Sequence, residues 1–158
     1  YRTSMVQEAR IPVSLNDIIK EVLTASDRAF HETKVNVIAN LELPLPPIQG
    51  SPDKLKQVFL NLFINAEDAM PKGGTLKVET CKTNGKIIVR VSDTGHGIPQ
   101  ENINRIFDAF FTTKSKVSGV GLGLSVTYGI VKQHDGTISV QSRVGEGTMF
   151  TLTFPITT

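Results

Sequence analysis

The stretch Val89-Arg-Val-Ser-Asp-Thr-Gly-His-Gly-Ile-Pro99 runs an apolar row into a carboxylate and then into two glycines. Successive side chains of an extended chain alternate between faces, so Ile87, Val89, Val91 and Asp93 point the same way. An ionised carboxylate at the end of a core-facing row is costly unless donors reach it, and Asp93 is therefore expected to accept hydrogen bonds. The glycines that follow let other groups approach the backbone closely. This one segment predicts a strand whose apolar row ends in an acid that needs partners.

On its N-terminal side, Thr83-Asn-Gly85 predicts a hairpin between strands near 75–81 and 86–92. Pro71-Lys-Gly-Gly74 is a turn, and before it Ser51-Pro52 starts a helix reaching about Met70, with a capping hydroxyl and proline at the first helical position. The apolar stripe of that helix is Leu55, Val58, Phe59, Leu62, Ala66, Ala69 and Met70, while Gln57, Asn61, Asn65 and Asp68 form a second, polar stripe. Asn61, Asn65 and Asp68 stand at i, i+4 and i+7, so they either converge on one ligand or form a solvated face. Two asparagines in mid-helix, where their propensity is poor, tilt the balance toward a site. Further upstream, Ser14 with Asp17 caps a helix near 14–31, and Val35 to Leu41 is β-branched enough for a strand. Pro44-Leu-Pro-Pro47 then forces extended chain. Residues 1–13 lack a clear period and read as a connector, Pro12 arguing against a helix there.

On the C-terminal side, Pro99 starts a short helix to about Phe107. Asp108 to Ser118 combines aromatics, hydroxyls and lysines without period and reads as a mobile loop or lid. Gly119-Val-Gly-Leu-Gly123 opens a helix whose body is Leu124 to about Gln133, a natural phosphate cradle that fits neither the Walker loop nor a dinucleotide fingerprint. Strands near 137–142 and 148–154 follow, joined by Gly145-Glu-Gly147. In the last strand Thr148 shares a face with Phe150, Leu152 and Phe154, as Asp93 does with its own row.

The composition narrows the function classes. A chain of 158 residues with a formal charge of +2 and interspersed acids and bases suits one domain and carries no basic footprint for nucleic acid. Cys81 alone excludes an internal disulfide framework and fits a reducing, cytoplasmic setting. No apolar run in the given sequence is long enough to span a bilayer, and no stretch of it is expected to be a signal peptide. Because the chain starts at Tyr1, it is expected to be a fragment, and anchoring of its parent in the inner membrane stays open.

Four motifs in this order and spacing resemble the Bergerat-fold ATPases, and most closely the sensor histidine kinases, over roughly residues 14–155. Asn61-Leu-Phe-Ile-Asn65-Ala resembles their N box, Asp93-Thr-Gly95-His-Gly97 their first glycine box, Phe107-Asp-Ala-Phe-Phe111 their F box, and Gly119-Val-Gly121-Leu-Gly123-Leu their second glycine box. The resemblance implies an α/β two-layer sandwich, a mixed five-stranded sheet with three main helices on one face, as the catalytic domain over 14–158. It implies ATP and Mg²⁺. Asp93 would read the adenine amine with Thr148 helping through a shared water, and Gly95 and Gly97 would admit the purine beside Ile98. Asn65 would supply an oxygen to Mg²⁺ and Asn61 would sit beside the phosphates. Lys114 and Lys116 would compensate phosphate charge from the lid, and Gly119, Val120, Gly121, Leu122 and Gly123 would hold the polyphosphate. Phe107, Phe110 and Phe111 would hold the lid to the body. Asp68 departs from kinases with lysine at that place, which leaves its contact open.

In hydrolysing members of the superfamily a glutamate stands where this chain has Asn61, so an amide there favours transfer over hydrolysis. The implied acceptor is a histidine on a separate helical hairpin, followed by an acid and, further on, Asn-Pro. His31, His96 and His134 lack that context and read as surface or loop histidines. Residues 1–13 would then be linker from that hairpin, the fragment monomeric, its parent homodimeric, and a response regulator the onward partner in two-component signal transduction. The competing readings are an ATPase or anti-sigma-like serine kinase of the same fold, and a nucleotide-sensing module without transfer.

Overall fold

A computed structural model describes residues 10–108 and 120–156. In chain order the elements are β1 (Ile11–Val13), α1 (Leu15–Glu32), β2 (Val35–Leu41), β3 (Ile48–Gly50), α2 (Pro52–Ala69), β4 (Gly74–Thr83), β5 (Lys86–Asp93), α3 (Gln100–Ile103), α4 (Val120–Gln133), β6 (Thr137–Arg143) and β7 (Gly147–Pro155). The main sheet runs β2-β4-β5-β7-β6. Strands β2 and β4 are parallel and every other pair is antiparallel, so the sheet is mixed, as expected. A parallel pair requires a crossover, and the segment carrying α2 supplies it.

Local sequence explains where the elements start. Ser14 caps α1 through the Asp17 N–H, and Ser51 caps α2 through the Lys54 N–H with Pro52 in its first turn. Asn84 and Gly85 both take positive φ in the β4–β5 turn, which closes the expected hairpin with Thr83 opposite Lys86.

Alternation decides the layers. Leu76, Val78 and Thr80 of β4, Ile87, Val89, Val91 and Asp93 of β5, and Thr148, Phe150, Leu152 and Phe154 of β7 are all buried, while their neighbours are half-buried on the other face. Helices α1, α2 and α4 cover the buried face with Ile18, Ile19, Val22, Leu55, Val58, Phe59, Leu62, Leu124 and Val131. Phe63, which the sequence stripe leaves out, is also buried and meets Phe30 edge to face at 6.4 Å.

Two expectations change. Residues 11–13 are not bare connector: β1 pairs antiparallel with β3 and Val13 enters the core. Three-residue strands leave too little period to read. The helix expected from Pro99 to Phe107 is a single turn at Gln100–Ile103 followed by turns.

Candidate functional site

Register across the sheet places Val37, Leu76, Asp93, Thr148 and Ser142 in one row, one residue from each strand. Directly opposite residues face the same way, so the row passes from aliphatic to polar at β5. Asp93 is 8% exposed and Thr148 6%. Burial pushes the Asp93 carboxyl above the ordinary aspartate range, while the N–H groups of Gly95 and Thr148 and the nearby His96 pull it back down. The Gly95 N–H donates to Asp93 Oδ1 at 2.8 Å. A carboxylate held this way is a buried acceptor with further lone pairs for a donor from outside.

The glycine-containing turn after Asp93 is gripped from two sides. On one, the His96 N–H donates to the Ala69 carbonyl at the end of α2 (3.0 Å), and a Cβ on Gly95 would lie 2.3 Å from that same oxygen. On the other, the Gly145 N–H donates to the His96 carbonyl at 2.8 Å, and a Cβ on Gly97, whose φ is +76°, would lie 2.1 Å from the Arg143 carbonyl. The close approach that demands glycine here is by the chain's own backbone.

Ser142 ties the same region together. Its Oγ accepts from the Ile98 N–H (2.8 Å), donates to the Gly147 carbonyl (2.9 Å) and lies 2.8 Å from Thr148 Oγ1. Sequence reasoning missed it, although counting back across the Gly145-Glu-Gly147 turn puts it opposite Thr148. Thr148, expected on the Asp93 side, is there.

The polar stripe of α2 faces α4. Asn61 Nδ2 donates to the Gly123 carbonyl at 3.2 Å and to Thr127 Oγ1 at 3.3 Å, which binds the asparagine helix to the glycine-rich helix start. Asn65, one turn on, is half-buried, and its amide is not engaged by any described residue. Asp68 is half-buried as well and has an interaction partner. Helix α4 starts at Val120, so the backbone of Val120, Gly121, Leu122 and Gly123 forms its first turn. The first four N–H groups of a helix have no intrahelical acceptor, and they sit at the positive end of its dipole. Helix α2 thus links an acidic group at Asp93, through the Ala69–His96 bond, to the anion-attracting start of α4, through Asn61.

Phe107 packs against Tyr128 of α4 at 5.5 Å and against Phe150 at 6.3 Å, so this first residue of the aromatic segment anchors to the body. Phe110, Phe111, Lys114, Lys116 and Gly119 lie outside the described residues. Among the histidines, His31 and His96 are exposed as expected, whereas His134 is 3% exposed and structural. Its Nε2 accepts from the Ser51 N–H (3.0 Å), which fixes the proton on Nδ1, facing the Ile130 carbonyl at 2.8 Å. Burial lowers its pKa. The imidazole thus joins the end of α4 to the start of α2, while Arg10 bonds the Gln133 carbonyl and pairs with Asp135 at 4.0 Å.

Comparison with known proteins gives a consistent picture. Residues 50–158 match the family model described as histidine kinase-, DNA gyrase B-, and HSP90-like ATPase. The chain is 38% identical over 143 residues to sporulation kinase C of Bacillus subtilis, covering 90% of this chain and 33% of that protein. It is 38% identical over 144 residues to the sensor histidine kinase ZraS of Escherichia coli, covering 91% and 30%. The chain therefore spans about a third of these curated relatives. Among solved structures, the nucleotide-free catalytic domain of the histidine kinase ThkA superposes with a TM-score of 0.83 at 29% identity, covering 92% of this chain and 95% of that one. The same kinase in complex with the response regulator protein TrrA gives 0.80 at 27% identity, covering 94% and 42%.

Proposed function

We propose that this chain, which belongs to the histidine kinase-, DNA gyrase B- and HSP90-like ATPase family, is the catalytic, ATP-binding domain of a sensor histidine kinase. It binds ATP with Mg²⁺ and presents the γ-phosphoryl group to a histidine on a separate helical hairpin of its parent. The observation that carries the reading is that one helix, α2, holds both parts: Asn61 bonds the start of α4, and the Ala69 carbonyl accepts from His96, three residues past the buried Asp93 acceptor.

Asp93 accepts from the exocyclic amine of adenine, an interaction between a charged acceptor and a donor in a water-poor floor. Gly95, Gly97 and Ile98 form the wall beside the base. The first-turn amides of α4 cradle the phosphates. Asn65 fits Mg²⁺, a hard cation that keeps waters and takes few protein oxygens; bound there, the ion would neutralise phosphate charge. Lys114 completes the charge compensation from the lid side, and the amides after Gly119 hold the polyphosphate.

Asn61 carries the choice of reaction. An amide is no general base, and this one is already committed to Gly123 and Thr127 as a donor. Its task is to hold the phosphate-binding helix in place, so the domain contributes binding and orientation while the nucleophile comes from elsewhere. The acceptor imidazole nitrogen forms a bond to the γ-phosphorus in line as the bond to the bridging oxygen breaks, and ADP leaves. The phosphoryl group then passes to an aspartate of a response regulator, a step outside this domain. Such a site favours transfer over the hydrolysis expected of an ATPase reading.

Amide NMR of the chain titrated with a non-hydrolysable ATP analogue and Mg²⁺ tests the site. Shifts are expected around residues 93–98 and 120–123, and the chain alone should not label itself with the γ-phosphate of ATP. Shifts confined to the open face of the sheet would refute the assignment.

A further inference from the structure

We infer that Ser142 sets the hydrogen-bond polarity of the adenine floor and thereby makes the site selective for a 6-amino over a 6-keto purine; this rests on the nucleotide reading above. Proton counting carries the inference. A serine hydroxyl has one proton to give and two lone pairs to receive. The Gly147 carbonyl can only accept, so at 2.9 Å it takes the Ser142 proton. The Ile98 N–H can only donate, so at 2.8 Å it occupies one Ser142 lone pair. The 2.8 Å contact with Thr148 must therefore use the Thr148 proton and the second Ser142 lone pair.

Thr148 is thus left with lone pairs only. It stands opposite Asp93 in the same cross-strand row, and Asp93 as a carboxylate also offers lone pairs only. Two adjacent buried acceptors make a floor that welcomes donors and repels acceptors. An amine at the 6-position of a purine brings two donors to that floor, whereas a keto oxygen brings lone pairs against lone pairs. A site built to bond a particular polar group rejects the analogue lacking it, because its own buried groups are then left unpaired. Ser142 is a positioning residue in this scheme: it acts on the base through the Thr148 hydroxyl, and its anchors on Ile98 and Gly147 keep it from turning.

The test compares the affinity of the chain for ATP and for inosine triphosphate, which carries a keto oxygen in place of the amine and a proton on N1, the effect of Ser142 being read as the change in the ratio of the two. The wild-type chain should prefer ATP. Ser142→Ala frees the Thr148 proton to point at the base, so the ATP-to-ITP preference should fall by about three- to tenfold, the size of one neutral hydrogen bond. Ser142→Thr should restore it, and Ser142→Ala in a Thr148→Val background should change the ratio no further. An unchanged ratio in a folded Ser142→Ala chain overturns the inference. Should that variant not fold, Thr148→Val alone decides: losing an acceptor lowers the ATP preference, whereas a rise would mean that Thr148 had been donating and would overturn it. A wild-type chain that binds neither triphosphate overturns this inference and the nucleotide reading together. One that prefers ATP regardless of Ser142 overturns only the inference.

Discussion

Replacing Asp93 by asparagine should move affinity and stability in opposite directions. The carboxylate is buried, and burial raises its pKa, so the folded state holds a proton on it more tightly than the unfolded state does. For an acid shifted this way the cost of ionisation to folding is absent below the unfolded pKa. It grows as pH rises through the folded value, and at neutral pH it is fully present. The substituted amide would carry no such cost, and its Oδ1 can still accept from the Gly95 N–H that now bonds Asp93 at 2.8 Å. The melting temperature at neutral pH should therefore stay level or rise. Binding should suffer, because the substitution removes a charge-assisted hydrogen bond worth about 1.5–3 kcal/mol, about ten- to a hundredfold in dissociation constant. Calorimetric titration with a non-hydrolysable ATP analogue beside thermal denaturation measures both. Unchanged affinity would refute the adenine assignment, and a large drop in stability would show that the carboxylate serves the fold.

Wild-type affinity for ATP should be flat near neutrality and weaken on the acid side, starting at a pH above the ordinary aspartate range, as protonation of Asp93 removes the acceptor; the same titration across pH follows it. Asn65→Ala should abolish the Mg²⁺ dependence of nucleotide binding, measured with and without chelator. His134→Ala leaves the buried Ser51 N–H without its acceptor and should cost about 1–3 kcal/mol in urea unfolding. Since the folded His134 pKa is lowered, wild-type stability should be full above the ordinary histidine pKa and decline as pH falls below it, and the variant should lose that slope. Gly97→Ala should destabilise the chain by about 1–2 kcal/mol or more, because φ is positive and the added Cβ meets the Arg143 carbonyl.

Much of this architecture was legible because its signals are periodic or local. The alternation around Asp93 gave β5 and its buried face, Asn84-Gly85 gave the hairpin, and Ser51-Pro52 gave the start of α2. What escaped depends on pairing between distant segments. Strands β1 and β3 are three residues each and exist only through one another. His134 reads as a surface or loop histidine in the sequence because its partner, Ser51, is 83 positions away. Ser142 carries no signal of its own in the sequence, since its meaning comes from the Ile98 N–H on another segment. The glycines of the first box were read as room for a ligand, while Ala69 and Arg143 also press against them, which no local pattern announces.

The most direct measurement of the central claim mixes this chain with γ-labelled ATP, Mg²⁺ and the separately produced helical hairpin of its parent, then treats the product with acid and with alkali. The account predicts label on the hairpin only when this chain is present, lost in acid and kept in alkali as a phosphohistidine is, and lowered about ten- to a hundredfold by Asp93→Asn at limiting nucleotide. Label that survives acid on a serine, or steady release of free phosphate indifferent to the hairpin, would contradict it.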